Sequence, residues 1–351
     1  MSNHYEKLKA LEDWEPPKDW IRIKSLDAHT GGEPLRIITS GLPDLEGDTI
    51  IAKRRFMKEN YDNLRRALMF EPKGHADQYG AIIVPPVTEE ADFGAIFTHN
   101  EGYSTMCGHA IIAMTKVVLE TGMIHMVEPV TTIKIDAPAG LITSHARIKD
   151  GKVQNVYFHN VPSFVLLADQ IVDVPGLGKV KFDVAYGGAF YAFVKAEEVG
   201  ADMTTEGYRG LIEKGMAIKN AVMDNFEIKH PFEEDLSFLY GTIFYGDPIN
   251  EGADSRNVCI FAEGEVDRSP TGTGVSARMA LHFAKGELGL NESYVIESIL
   301  GSSFKCKAIK ETTFGPFKAV IPEVEGNAHI SGKCEFFIDP EDPLRDGFIL
   351  R

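Results

Sequence analysis

The feature of this sequence that most constrains its fold is a weak internal repeat. The segment Cys-Gly-His-Ala-Ile-Ile-Ala-Met at 107–114 aligns with Thr-Gly-Thr-Gly-Val-Ser-Ala-Arg at 271–278. Each segment is predicted to begin a helix, and each helix is predicted to end at a glycine 15 residues after its first aligned residue, at Gly122 and Gly286. Glycine commonly follows the last residue of a helix. The repeat therefore predicts two related halves, each with one helix of this kind.

A second match lies upstream of each helix and supports the duplication. Asp27 precedes Gly31-Gly32 with the same spacing that separates Asp183 from Gly187-Gly188. The two matches have offsets of 164 and 156 residues, so one small insertion or deletion reconciles them. Each match alone is short, but both occur in the same order. A duplicated domain is the interpretation that this order favours.

Composition excludes several classes of partner. The 351 residues contain 36 Lys and Arg against 52 Asp and Glu, which gives a formal net charge of −16. Such a chain repels phosphate backbones and anionic membranes, so we expect no nucleic-acid or membrane partner. The one basic cluster, Lys53-Arg54-Arg55, stands in a mixed-charge segment and is more simply interpreted as a solvated helix face.

Localisation signals are missing from the sequence as well. No apolar run reaches the 18 or so residues of a membrane helix, and residues 1–18 are too polar for a secretory signal. The four cysteines, Cys107, Cys259, Cys306 and Cys334, are far apart and form no CxxC pair. That spacing suggests neither a zinc site nor a disulfide framework, so we expect a cytoplasmic protein with reduced thiols.

The pattern of apolar residues predicts an α+β fold. Helical spacing of apolar residues predicts helices over 50–68, 108–121, 211–226 and 272–285. Short strand-like runs fill most of the remaining chain, without a regular alternation of strand and helix. This arrangement argues against a doubly wound parallel sheet.

The first of the two repeated helix starts carries a thiol. Cys107 stands where the helix begins, and the positive end of a helix dipole is expected to lower the pKa of a thiol. Gly108 has no side chain, so a carboxylate could approach the first-turn N–H groups of Gly108 and His109. This combination is typical of a nucleophile or base beside an anion site.

The second helix start offers a similar anion site and adds a carboxylate. Gly272 and Thr273 present first-turn amides, Thr271 occupies the position equivalent to Cys107, and Asp267 suits an ammonium group. If the two helix starts face each other, they hold an α-amino acid with Cys107 near its α-carbon. Amides on the carboxylate also stabilise the enediolate that forms when the α-proton leaves.

Each of these residues also has an ordinary structural interpretation. A free cysteine such as Cys107 is more often a small core residue than a base. Thr271 could be only a helix N-cap, and Asp267 could cap the helix or pair with Arg268 at the surface. His109 could be an unremarkable first-turn residue. From the residues alone, these alternatives stay open.

Metal and nucleotide sites are not indicated. The histidines show neither HxH nor HExxH spacing, so we expect no metal site. Gly272-Thr273-Gly274 lacks the lysine of a phosphate-binding P-loop, and we therefore exclude nucleotide binding.

Three motifs together resemble the proline racemase family. They are Asp-Ala-His-Thr-Gly-Gly-Glu-Pro at 27–34, Cys-Gly-His at 107–109 and Asp-Arg-Ser-Pro-Thr-Gly-Thr-Gly at 267–274, and the resemblance extends from about Ile21 to Arg351. It implies the diaminopimelate-epimerase-like fold: two pseudo-symmetric α+β halves, each a curved sheet around a central helix, with the active site in the cleft between them.

This resemblance and the turn at 149–152 define the expected domains. Residues 1–19 form an N-terminal tail, and residues 20–150 form the first domain, which carries Cys107. Residues 151–336 form the second domain, which carries Asp267 and Thr271. In the family the last strand usually returns to the first half, so residues 337–351 are expected to complete the first domain.

The residue at the second helix start separates this chain from the racemases of the family. Those enzymes use two cysteines on opposite sides of the α-carbon, whereas this chain has Cys107 and Thr271. A threonine hydroxyl is far too weak an acid to replace a thiol at neutral pH. The resemblance to the branch with Cys and Thr implies dehydration of trans-3-hydroxy-L-proline without a cofactor.

The resemblance also implies the roles of the site residues. Cys107 is expected to remove the α-proton, and Thr271 either to orient the leaving hydroxyl or only to fill the position of the second base. Asp267 is expected to hold the ring ammonium. The remaining substrate contacts are expected from Gly108, His109, Gly272 and Thr273.

Two other functions remain as alternatives. One is a proline racemase or 4-hydroxyproline epimerase with an unusual acid at Thr271, and the other is a non-catalytic protein that binds an amino acid. In each case the partner is a cyclic imino acid. Related enzymes are often homodimers, so the resemblance adds a second copy of the chain as a partner to expect.

Overall fold

The computed structural model of the protein describes residues 4–9, 11 and 14–350. Its helices are α1 (His4–Lys9), α2 (Ile50–Met69), α3 (Gly108–Glu120), α4 (Tyr208–Asn225) and α5 (Gly272–Ala284). Its strands are β1 (Ile21–Thr30), β2 (Glu33–Ser40), β3 (Gly80–Val84), β4 (Phe93–Thr98), β5 (Val130–Ala137), β6 (Gly140–Lys149), β7 (Lys152–His159), β8 (Ser163–Val174), β9 (Gly178–Tyr186), β10 (Phe190–Lys195), β11 (Leu239–Gly246), β12 (Ser255–Phe261), β13 (Glu265–Val266), β14 (Tyr294–Glu297), β15 (Ser303–Phe314), β16 (Phe317–Gly326) and β17 (Ala328–Ile338).

The order and direction of the strands confirm the predicted duplication. In the first half, β2 runs parallel to β3, β3 antiparallel to β4, β4 parallel to β5, and β5 antiparallel to β6. In the second half the same four relations join β10 to β11, β11 to β12, β12 to β14, and β14 to β15. The fold is thus α+β with two pseudo-symmetric halves, as predicted.

Each half wraps its sheet around one central helix. Helix α3 packs against β1, β6, β7 and β17, whereas α5 packs against β8, β9, β15 and β16. All residues of α3 except Glu120 are buried, and its run Ala-Ile-Ile-Ala-Met at 110–114 is almost purely apolar. A helix that is apolar on every side is stable only when it is surrounded by protein. The apolar sequence of α3 therefore explains why it lies at the centre of its half, and α5 is buried in the same way from Gly272 to Leu281.

The two Gly-Gly pairs form equivalent hairpin turns that contact the opposite half. Gly31 and Gly32 join β1 to β2, and both have positive φ angles, of 60° and 97°. Gly188, with a φ of 100°, lies in the turn between β9 and β10. The Ser302 hydroxyl donates a hydrogen bond to the carbonyl of Gly31 over 2.8 Å, and Thr105 donates to the carbonyl of Gly188. Each turn is therefore tied to the other half.

Two strands connect the halves and bear on the domain boundaries. Strand β17 pairs with β1 along its length, from Ile338 opposite Ile21 to Ala328 opposite Thr30. Strand β7 pairs with β6 and also with β16 of the second half. The division into 20–150 with 337–351 and 151–336 stays a prediction. On these pairings we propose that β7 and the whole of β17 belong with the first half.

The predicted tail 1–19 is only partly described. Within it, α1 covers His4–Lys9, and the Trp14 ring packs edge-on against Phe337 at 5.7 Å between ring centres. Residues 1–3, 10, 12 and 13 lie outside the described residues. Among the described residues, the structure contains no helix long and apolar enough to cross a membrane.

Strand β8 and the basic cluster on α2 differ from what the sequence indicates. In β8, register shifts near Val165, Leu167 and Gln170 interrupt the two-residue alternation that marks a strand, so the sequence does not identify it. The basic cluster on α2 is not simply a solvated face. Arg54 is buried, and both Arg54 and Arg55 form ion pairs with Asp235 of the second half.

Helices α3 and α5 meet at their N-termini through two glycines. A Cβ atom placed on Gly272 would lie 2.6 Å from the Cα of Gly108, and a Cβ on Gly108 would lie equally close to Gly272. Real Cβ atoms do not approach backbone atoms this closely. The two helix starts can therefore touch only because residues 108 and 272 both lack side chains.

We predict that Gly272→Ala destabilises the protein by about 1–3 kcal/mol, because the added methyl group forces the halves apart. Thermal or urea unfolding measures this change. Gly210→Ala is the matched control, since Gly210 lies in α4 and a Cβ there meets no atom within 4 Å. That control is expected to be neutral or slightly stabilising. Equal stability of the two variants would contradict the prediction.

Candidate active site

The site lies where α3 and α5 begin. Cys107 immediately precedes α3 and Thr271 immediately precedes α5, and neither side chain makes a capping hydrogen bond to its helix. An ordinary N-cap threonine would use its hydroxyl on a first-turn N–H group. The first-turn N–H groups of both helices have no partner within their helix, so they form a site for an anion.

All seven residues that the sequence singles out line one cavity. This cavity has a volume of about 260 Å³ and lies between the two halves. Its wall consists of Tyr79, Met106, Cys107, Gly108, His109, Tyr191, Tyr240, Phe261, Asp267, Thr271, Gly272 and Thr273. Cys107 is 4 % and Thr271 5 % exposed, so both side chains are almost completely shielded from solvent.

Sequence reasoning missed the three tyrosines of the wall. Tyr79 stands directly before β3 and Tyr240 lies at the start of the equivalent strand β11, and each is followed by a glycine, Gly80 or Gly241. This Tyr-Gly pair is part of the same internal repeat and could have identified both residues. Tyr191 lies within β10, and its hydroxyl bonds the Thr273 hydroxyl over 2.7 Å.

The backbone of Thr271 is strained. Its φ of 69° and ψ of 93° are unfavourable for a β-branched residue, at a cost of about 1–3 kcal/mol. Two hydrogen bonds hold this conformation: the Thr271 N–H donates to the Ser269 hydroxyl over 3.1 Å, and the Asn257 amide donates to the Pro270 carbonyl over 3.3 Å. Strain held in this way often marks a functional position.

The hydroxyl of Thr271 is available to a ligand. Its Oγ1 atom is buried and has no hydrogen bond of acceptable geometry among the described residues. It nevertheless lies close enough to Asp267 to lower the pKa of that carboxyl. Thr271 is therefore not a plain N-cap, because its hydroxyl does not bind a first-turn N–H group of α5.

Burial dominates the ionisation of Cys107. The closed cavity raises the pKa of the Cys107 thiol well above its usual value, and the carboxylates of Asp267 and Glu33 add to this effect. The N–H of Ala110 and the hydroxyl of Tyr79 oppose it. The sequence-based expectation of a lowered pKa is therefore wrong, because removal of water outweighs the helix dipole.

His109 is a neutral neighbour of this thiol. Its Nδ1 atom lies 3.1 Å from the Cys107 sulfur. Burial lowers the pKa of His109 to about 3, although a hydrogen bond to the Pro34 carbonyl opposes the shift. A neutral imidazole has only one N–H group. The Pro34 carbonyl and the Cys107 sulfur are thus two neighbours for one N–H group.

Asp267 supplies a negative charge at the other side of the cavity. Burial raises its pKa to about 6, while hydrogen bonds from Ser269 and the nearby hydroxyl of Thr271 oppose the shift. The Ser269 N–H donates to its Oδ1 atom over 2.7 Å. The carboxyl is thus ionised at neutral pH and suits an ammonium partner. Arg268 does not pair with it, because the guanidinium of Arg268 binds Asp77 at 2.9 Å.

Glu33 is a second buried carboxyl near Asp267. Burial and the charge of Asp267 raise its pKa well above the usual range. Its Oε2 atom accepts the N–H of Arg268 over 2.7 Å, which joins the Gly-Gly turn of the first half to the loop that carries Asp267. The site thus combines a thiol, an unpaired hydroxyl, a carboxylate and two helix N-termini around one small space. Among the described residues, no group of three or more His, Cys, Asp or Glu is placed to hold a metal ion.

A family model described as "Proline racemase" matches residues 25–349. The chain belongs to the proline racemase family. It is 54 % identical over 344 residues to trans-3-hydroxy-L-proline dehydratase of Colwellia psychrerythraea, covering 97 % of each chain. It is 48 % identical over 340 residues to trans-3-hydroxy-L-proline dehydratase of Homo sapiens, covering 94 % of this chain and 95 % of that protein. The structure is also similar to a crystal structure of a hydroxyproline epimerase from Agrobacterium vitis with bound trans-4-hydroxy-L-proline. The two superpose with a TM-score of 0.89 at 32 % identity, covering 94 % of this chain and 96 % of that one.

We predict that Asp267→Asn stabilises the protein at pH 8 by about 1–3 kcal/mol. The folded-state pKa of about 6 lies above the ordinary 3.8, so ionisation of Asp267 destabilises the fold as pH rises from about 4 to 6. Asparagine removes that penalty but cannot bind an ammonium group, so substrate turnover should be lost. Thermal unfolding at pH 4 and pH 8 measures the effect.

The control Asp173→Asn, at an exposed position on β8, should show no such pH dependence. A loss of stability for Asp267→Asn at pH 8 would contradict the prediction.

Proposed function

We propose that this protein is a cofactor-independent trans-3-hydroxy-L-proline dehydratase, a hydro-lyase. The observation that carries the proposal is the pairing of one thiol, Cys107, with one alcohol, Thr271, in a single closed cavity. Relatives that are 54 % and 48 % identical over nearly the whole chain bear this name and support the same activity.

The geometry supports a simple binding mode for the substrate. The first-turn N–H groups of Gly108, His109, Gly272 and Thr273 bind the carboxylate between the two helix starts. The carboxylate of Asp267 binds the ring ammonium. In this orientation the α-carbon lies between the two residues that precede the helices, and Cys107 removes the α-proton.

The reaction then needs only a base, a proton donor and charge stabilisation. The Cys107 thiolate takes the α-proton, and the electron pair moves into the carboxylate to form an enediolate that both helix N-termini stabilise. The electron pair returns to form the C2–C3 double bond, and the C3–O bond breaks. Water and Δ2-pyrroline-2-carboxylate leave the site, and the latter tautomerises to Δ1-pyrroline-2-carboxylate. Elimination of water in this way is not an oxidation and requires no cofactor.

Thr271 distinguishes this reaction from racemisation. An alcohol does not supply or accept a proton at the α-carbon as a thiol does at neutral pH. The carbanion therefore expels its β-hydroxyl rather than receiving a proton on the opposite side. Proline racemase or 4-hydroxyproline epimerase activity is the second candidate, which the likeness to the hydroxyproline epimerase structure favours. A non-catalytic amino-acid-binding protein is a remote third.

The same proposal includes a compartment and an assembly state. A catalytic thiol must stay reduced, and all four cysteines of the chain are free, which supports a location in the cytoplasm. The substrate is a small cyclic imino acid. We propose a homodimer on the family resemblance alone.

We predict that the protein dehydrates trans-3-hydroxy-L-proline and that Cys107→Ser lowers this rate at least 10³-fold, because a serine hydroxyl is a far weaker acid than a thiol. The assay offers trans-3-hydroxy-L-proline, trans-4-hydroxy-L-proline and L-proline separately, and follows pyrroline formation and optical rotation. Cys334→Ser, on β17 outside the cavity, is the control and should keep full activity. Inversion of the second or third substrate without pyrroline formation would favour the epimerase or racemase.

We predict that kcat/KM rises with pH through the ionisation of Cys107, because burial raises the pKa of this thiol and the thiolate is the reactive form. Iodoacetamide should inactivate the enzyme faster at higher pH, and L-proline should protect it. Mass spectrometry identifies the alkylated residue. Full activity after alkylation of Cys107 would contradict the proposed role.

We predict that Thr271→Cys adds epimerisation of trans-4-hydroxy-L-proline, because it supplies the missing thiol on the second side of the α-carbon. Polarimetry of the wild type and the variant measures the gain. A folded variant with a reactive Cys107 and no epimerisation would argue against this explanation of the Cys/Thr pair.

A further inference from the structure

The stereochemistry of the proposed substrate places its leaving group on the side of Cys107. In trans-3-hydroxy-L-proline the 3-hydroxyl lies on the face of the ring opposite to the carboxylate. The α-hydrogen lies on that same face, since it and the carboxylate occupy opposite sides of C2. A base that removes the α-hydrogen therefore approaches the face from which the hydroxyl departs. The elimination is syn, and the hydroxyl leaves toward the wall of the cavity that holds Cys107.

Three side chains of the first half stand at this wall. Tyr79, Cys107 and His109 all line the cavity. The rings of Tyr79 and His109 contact edge-on with 4.8 Å between their centres, and His109 Nδ1 lies 3.1 Å from the Cys107 sulfur. These residues form one contiguous group. Thr271 precedes α5 of the second half and is not part of it.

His109 is not suited to assist the leaving group. It is neutral, and its single N–H group already has two acceptors close by, the carbonyl of Pro34 and the Cys107 sulfur. Its other ring nitrogen can only accept a hydrogen bond. A departing hydroxide needs a donor, so His109 does not provide it.

Tyr79 has a hydroxyl that can donate at this wall. It is 2 % exposed, lines the same cavity as Cys107 and lowers the pKa of the Cys107 thiol. Its hydroxyl neighbours are Ser104 and Tyr240, and the Tyr240 oxygen is 3.5 Å away, a long separation for a hydrogen bond. A stronger acceptor, such as an oxygen that gains negative charge as it leaves C3, would therefore attract the Tyr79 O–H.

We propose that Tyr79 is a further catalytic residue, which donates a hydrogen bond to the departing 3-hydroxyl while Cys107 supplies the proton that converts it to water. The inference rests on the proposed function. The Cys107 thiolate first takes the α-proton and becomes a thiol. The C3–O bond then breaks, the departing oxygen takes that proton, and the thiolate is restored. One residue thus serves as base and acid on one face, and the reaction needs no proton donor at position 271.

The test compares Tyr79→Phe with wild type, using trans-3-hydroxy-L-proline with oxygen-16 or oxygen-18 in the 3-hydroxyl. We expect kcat to fall about 100-fold or more, with an oxygen-18 isotope effect on kcat above 1, because breakage of the C3–O bond becomes the slow step. A kcat within threefold of wild type would overturn the proposal. A slow variant with no oxygen-18 isotope effect would also overturn it, since Tyr79 would then serve proton removal or the fold.

The matched control is Tyr191→Phe, which loses the same hydroxyl from the second-half side of the cavity. Its hydroxyl bonds Thr273, so its loss is expected to raise KM, with an oxygen-18 isotope effect on kcat no larger than that of wild type. Thermal unfolding and alkylation of Cys107 verify that both variants are folded. An oxygen-18 isotope effect in Tyr191→Phe that exceeds the wild-type value as well would show that the change is not specific to Tyr79, and would overturn the proposal.

A second substrate tests the face of departure. In cis-3-hydroxy-L-proline the hydroxyl lies on the face opposite to the α-hydrogen, so we expect dehydration at less than 1 % of the trans rate. A cis rate within tenfold of the trans rate would overturn the inference. If the wild type fails to dehydrate the trans substrate at all, the proposed function itself is wrong, and this outcome is distinct from the failure of Tyr79 alone.

Discussion

The site depends on one contact, the approach of two helix N-termini at Gly108 and Gly272. The positive ends of two helix dipoles repel each other, and only the absence of both side chains allows their backbones to touch. An anion between the helices would offset this repulsion. The same contact places Cys107 and Thr271 at the wall of one cavity. The scaffold thus determines both where the two helix N-termini meet and which two side chains stand beside them in the cavity.

The closed cavity adds an electrostatic constraint. Exclusion of water raises the pKa values of Cys107, Asp267 and Glu33 and lowers that of His109. Every buried ionisable group here is thus shifted toward its neutral form, as expected when burial dominates. Asp267, whose pKa is about 6, remains ionised at neutral pH. The site thus presents one negative charge and the positive ends of two helix dipoles around a small space.

Much of this arrangement could be predicted from local patterns. The repeat predicted two halves, the apolar runs predicted both central helices, and the aligned helix starts predicted which residues meet in the cavity. Strand β8 escaped prediction, because its bulges interrupt the alternation of side chains. Tyr79 and Tyr240 escaped prediction as well, although the Tyr-Gly pairs at 79–80 and 240–241 belong to the same internal repeat. A tyrosine near an apolar strand has no chemical signature until its neighbours are known.

The sequence by itself determined the duplicated α+β fold, the family and the identity of the two residues before the helices, because these follow from periodicity, spacing and residue type. Tertiary structure alone decided the ionisation of Cys107, since helix position predicted a lower pKa and enclosure by both halves raised it. It also decided that Arg54 is buried against Asp235 and that Tyr79 stands beside the thiol. These properties arise between residues far apart in the chain, and no local pattern encodes the distance between them.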